Sequence, residues 1–184
     1  MIYSFPLVAV GIVVGLLLIG THAFALTAPD VVRPRLLTFP RSRVVGTILL
    51  AIAALWAFWL VCTMDLGEFA RLRRLLILAV PVGAVLTWYF VDEFLAVRSL
   101  GILALLAAGP LLEAAFLQEP LSRLFLVALA YLWIFSGLFL VGMPFLLRDA
   151  IAYLVPREKL YRRASWAGIA YGGLILLYAI IFWH

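Results

Sequence analysis

The sequence predicts an all-α, polytopic integral membrane bundle of six transmembrane helices with one or two short interfacial helices. Three observations carry that prediction. The 184-residue chain is 67% hydrophobic and only 12% charged, far from the near-half apolar and quarter charged mixture of soluble domains. Apolar runs long enough to cross a bilayer recur along it. No polar stretch is long enough to fold as a water-facing module, so residues 1–184 read as a single transmembrane domain. In hydrocarbon every backbone polar group must be satisfied within the protein, which makes helices the default. The alternating ten-residue pattern of a barrel is absent.

The first segment runs from Ile2 to Leu26. Ala23-Phe24-Ala25 resembles a signal-peptide cleavage site, but no Lys or Arg precedes the apolar run, so the segment is read as a membrane helix. The second runs from Val44 to Met64 and contains the single cysteine, Cys62, so no intrachain disulfide or multi-cysteine metal site is possible. Between Met64 and Arg74, Leu66, Phe69 and Leu72 recur at three-residue spacing among Asp65, Glu68 and three arginines, the pattern of an interfacial helix.

From Leu75 to Leu117 the chain runs 43 residues with few polar interruptions. As one helix this would measure roughly 64 Å, about twice the hydrocarbon thickness. The chain must break, and the only polar place is Asp92 to Ser99. A third segment therefore ends at Val91, and a fourth runs from Ser99, its N-cap, to Leu117. The charges Asp92, Glu93 and Arg98 mark a hairpin at a membrane surface or line a cavity just below it. The fifth segment is Leu121 to Met143. Phe145 to Val155, flanked by Pro144 and Pro156, reads as a second interfacial helix, and the sixth crossing runs from Ala164 to Trp183. Trp88, Tyr89, Trp166, Tyr178 and Trp183 fall near segment boundaries, as aromatic belts do.

With six crossings, one side receives Arg33, Arg35, Arg41, Arg43, Arg98, Arg148, Arg157, Lys159, Arg162 and Arg163, and the other Arg71, Arg73, Arg74 and Arg123. The basic-rich side is predicted cytoplasmic and both termini non-cytoplasmic. The net charge of +5 therefore reads as membrane orientation, not nucleic-acid binding.

Four groups of residues are candidates for function. Asp92, Glu93, Arg98, Arg148 and Asp149 form one polar cluster on the basic side, a fastening between two hairpins or a polar vestibule. Arg148 and Asp149, adjacent on a helix, are expected to point apart and pair with other elements. Glu113 is an intramembrane carboxylate, buried in the span or reaching headgroups from its end. It lies some 20 residues of helix, roughly 30 Å, from Asp92 and Glu93, too far for a catalytic carboxylate pair. His22, near the end of the first segment, is either a polar helix end or an axial ligand for haem or a pigment. Its pairing with His184 is geometrically poor. Gly11 and Gly15, and Gly168 and Gly172, carry the four-residue spacing of close helix packing, to which Gly83, Gly101 and Gly137 are candidates to add.

No metal site, phosphate loop or nucleophile motif is present. Neither His-x-x-x-His nor Glu-x-x-His occurs, there is no Gly-x-Ser-x-Gly around Ser136, and the one lysine, Lys159, lies in a loop. The sequence is therefore read as a non-catalytic membrane subunit or scaffold, partnered by the bilayer and by other membrane subunits or further copies of itself, with no cofactor required. Two alternatives remain. One is a small cation or proton transporter or channel using the carboxylates; the other is a haem- or pigment-binding helper using His22.

Overall fold

The structure is a computed structural model that describes residues 2–91 and 93–183. It is all-helical. Eight α-helices occur among the described residues, and five are long and apolar enough to cross a membrane. These are α1 (Leu7–Thr27), α3 (Arg43–Thr63), α5 (Leu95–Ala115), α6 (Leu124–Gly142, with a single turn from Leu121 ahead of it) and α8 (Glu158–Ile181). Two short helices, α2 (Pro29–Thr38) and α7 (Phe145–Leu154), follow α1 and α6. The predicted third crossing is a helix, α4 (Arg73–Phe90), but it is not among the five. It starts on two arginines and runs 18 residues, about 27 Å.

Local chemistry accounts for most boundaries. Pro6 holds extended backbone ahead of α1, so the helix begins five residues later than the apolar run does. The Ser42 hydroxyl accepts the Val45 N–H at 3.3 Å and caps α3. Prolines bound α7 as expected. The expected interfacial helix from Met64 to Arg74 is instead a tight 3-10 turn over Gly67–Leu72. Gly67 takes a left-handed φ of +50°, stabilised by its N–H donating to Asp65 Oδ1, and that ends any α-helical path. The short α2 has no counterpart in the sequence reading; Pro29 in its first turn and Asp30 behind it start it.

The break between the third and fourth segments is present, and it is tighter than expected. Phe94 adopts a left-handed φ of +58°, which turns the chain within a few residues and lets α5 start at Leu95. Ser99 is therefore not a cap. It is the fifth residue of α5, fully buried, and its Oγ makes no hydrogen bond among the described residues.

Two glycine seams hold the helices together. α1 lies antiparallel against α8, and all four motif glycines sit in that one contact. A Cβ on Gly15 would lie 3.0 Å from the Gly172 carbonyl oxygen, and one on Gly172 would lie 2.9 Å from that of Gly15, so the backbones touch. Gly11 lies under the Trp183 ring and Gly168 under the His22 ring. α5 meets α6 in the same way, Gly101 and Gly137 each presenting a carbonyl 2.8 Å from where the other's Cβ would stand. Gly83 takes no part, with nothing within 4 Å. Without a hydrophobic drive between helices in lipid, such close packing is what associates them. α3 packs on α5 through Gly46, while α4 rests on α3 and buries no residue.

The two seams meet in a core that includes Leu7, Val14, Ala108, Leu111, Leu126 and Ile175. The Tyr171 hydroxyl donates to the Phe125 carbonyl at 2.7 Å and Trp183 Nε1 to Ser122 Oγ at 2.8 Å, fastening α8 to the start of α6. Trp183 is not a belt residue: it is 4% exposed, because its ring fills the hollow over Gly11. Alternation of the helices gathers residues 28–42, the break marked by Val91, Glu93 and Phe94, and α7 at one end, the basic face. The chain's start, the 64–72 turn and the loop before α6 gather at the other, the terminal face.

Candidate functional site

Three polar sites emerge, two on the basic face and one on the terminal face. The first is a cavity of about 300 Å³ lined by Arg41, Glu93, Phe94 and Arg148. The hairpin supplies Glu93 and Phe94, the turn before α3 supplies Arg41, and α7 supplies Arg148. The left-handed backbone of Phe94 brings its ring to 5.6 Å from the Arg148 guanidinium carbon. Of the predicted cluster, Glu93 and Arg148 meet here, and Asp92 lies outside the described residues. Arg148 and Asp149 do not diverge: Arg148 Nε donates to Asp149 Oδ1 at 2.8 Å, because the long arginine stem folds back on its neighbour. That bond, then the charges of Asp149 and Glu93, push the guanidinium's pKa above its ordinary value, so Arg148 stays cationic at any physiological pH. Arg98 does not line the cavity; it lies one turn into α5 with its Nε buried and without a hydrogen-bond partner among the described residues. In the sequence Arg41 reads only as an orientation charge, and no sequence signal links it to a hairpin some fifty residues away.

On the terminal face, Glu113 is half-buried two residues before the end of α5, and its Oε2 accepts the Tyr3 N–H at 3.2 Å. The Tyr3 hydroxyl accepts Trp56 Nε1–H at 2.7 Å, and its ring lies 5.6 Å from that of Trp59. Burial raises the Tyr3 phenol above its ordinary pKa; the Trp56 bond opposes this and the Glu113 charge adds to it. Glu113 thus ties the chain's start to the α3–α5 pair. Along α5, no titratable residue lies between Arg98 and Glu113.

The third site surrounds His22. Its Nδ1 lies 2.8 Å from the Leu18 carbonyl oxygen, which can only accept, so Nδ1 carries the hydrogen. One face of the ring rests on Gly168, and the ring lines a cavity of about 370 Å³ between α1, α2, α7 and α8. His184 lies outside the described residues. Among the described residues no group of three or more His, Cys, Asp or Glu is placed to hold a metal. No protein-family model, curated protein or solved structure matches the chain.

Proposed function

We propose that the chain is a non-catalytic integral membrane protein, a subunit or scaffold of a larger membrane assembly, crossing the bilayer six times. The observation that carries the reading is the separation of its charges. The Arg41–Glu93–Arg148 cavity and the Glu113–Tyr3 contact stand at opposite ends of α5. The fourteen residues from Ser99 to Leu112 between them include no titratable side chain, over roughly 21 Å. A proton or cation relay needs polar groups within hydrogen-bond reach, and the seams there are filled by glycine backbones and apolar side chains. The motif glycines are spent inside the chain, so a partner is met by the outer helix faces.

Purified protein in liposomes is expected to leak protons and K⁺ no faster than protein-free vesicles, with Glu113→Gln making no difference. Native mass spectrometry from mild detergent is expected to find a stoichiometric second chain, a copy or another subunit. Flux that Glu113→Gln abolishes, carried by a lone monomer, would install the transporter alternative. A haem or pigment held by His22 would give the preparation visible absorbance; the Leu18 carbonyl anchoring Nδ1 is the one feature that favours it.

The sixth crossing is supported by how α4 meets α3. At one end the Arg73 guanidinium donates to the Met64 carbonyl at 2.6 Å. At the other, Trp88 Nε1 donates to Thr47 Oγ1 at 3.1 Å, with Arg43 over the indole at 5.6 Å. α4 therefore runs the full length of a helix that is itself long enough to span. In a Cys62→Ser background, Glu68→Cys is expected to react with an impermeant maleimide from the side of the termini, and Glu93→Cys from the basic-rich, cytoplasmic side. Reaction of both from one side would lay α4 on the membrane surface.

A further inference from the structure

We propose that the cavity beside His22 binds a neutral lipid alcohol, an apolar molecule whose hydroxyl donates a hydrogen bond to His22 Nε2. At about 370 Å³ the cavity has the size of small-molecule sites. Its walls are mainly apolar, with Leu36 of α2 and Leu154 of α7 among the side chains that line it. Its polar side chains are Thr21, His22, Tyr161 and Ser165. Each has already spent its hydrogen. Thr21 Oγ1 donates to the Leu17 carbonyl at 2.7 Å, the Tyr161 hydroxyl to that of Ala25 at 2.9 Å, and Ser165 Oγ to that of Tyr161 at 3.0 Å. The His22 Nδ1 hydrogen goes to Leu18.

What remains to the cavity's side chains is acceptor capacity. The ring face of His22 is covered by Gly168, and its in-plane Nε2 lone pair has no partner among the described residues. A carboxylate or phosphate brings only acceptors and finds no free donor among the lining side chains. An ammonium finds no carboxylate in the lining to offset the loss of its hydration. A hydroxyl on an apolar body satisfies both features. His22 lies five residues before the end of α1, about 7.5 Å by helix rise, the depth at which a membrane alcohol holds its hydroxyl near the headgroups.

The test uses the full chain in phospholipid nanodiscs and three diazirine probes of equal chain length: analogues of 1-dodecanol, dodecane and dodecanoate. On irradiation, the alcohol is expected to label peptides of α2, α7 and the first half of α8 roughly fivefold more than either other probe, the value of about one hydrogen bond. Unlabelled dodecanol is expected to compete and dodecane not to. His22→Phe is expected to bring alcohol labelling down to the alkane level, and His22→Gln, which restores an acceptor, to recover it. Equal labelling by all three probes, or competition by dodecane as effective as by dodecanol, would overturn the proposal. Both of those measurements need only the wild-type protein.

Discussion

Gly172→Leu is expected to destabilise the protein by about 3 kcal/mol or more, the upper end of overpacking penalties. Its neighbour Gly173→Leu is expected to leave stability unchanged or raise it by up to about 1 kcal/mol, the helix-propensity gain over glycine. The contrast is geometric. A Cβ on Gly172 would stand 2.8 Å from Leu18 Cβ, 2.9 Å from the Gly15 carbonyl oxygen and 3.1 Å from Ile19 N, whereas one on Gly173 meets nothing within 4 Å. Two of those three atoms are backbone, which no rotamer change can move. α1 and α8 would have to separate, and in lipid their association rests on that contact. Tryptophan-fluorescence melts of the two variants in one detergent measure the difference; equal losses would mean that the seam does not exist.

Trp183→Ala is expected to cost about 3–5 kcal/mol, the range for truncating a buried large aromatic. Trp183→Phe is expected to cost only the hydrogen bond to Ser122, about 0.5–1.5 kcal/mol. The side chain is 4% exposed, roofs Gly11 and links the end of α8 to the loop before α6. An exposed belt tryptophan would lose far less, so chemical-denaturation midpoints of the pair distinguish a keystone from a membrane anchor.

Trp183 also marks where sequence reading stopped. Its position at the end of an apolar run is the same as that of Trp166, which is 58% exposed; only the identity of the facing helix separates the two. The helices themselves were legible, because hydrocarbon thickness forces a 43-residue apolar run to break. Where it breaks was legible to within a few residues. The means was not: Phe94 is left-handed, a conformation that asparagine or glycine advertises and phenylalanine does not. Ser99 looked like a cap for the same reason and proved to be interior. The motif glycines were recognisable as a close-packing surface, since small residues four apart lie on one helix face. That both motifs face each other, and that Gly83 faces nothing, depends on which helices adjoin. The basic-face cavity shows the same limit more sharply. Arg41, Glu93 and Arg148 come from three distant stretches, so charge type predicted a cluster while its membership, with Arg41 in and Arg98 aside, followed from tertiary placement.

One of the two glycine seams joins the first long helix to the last. Some 130 residues separate the end of α1 from the start of α8, and at synthesis rates of about 5–20 residues per second they take roughly 6–26 seconds to make. Throughout that interval the newborn α1 waits with its glycine face bare, open to whichever neighbour drifts past. The period of greatest exposure to wrong company is thus written into the order of the helices, and it closes only once α8 has been made.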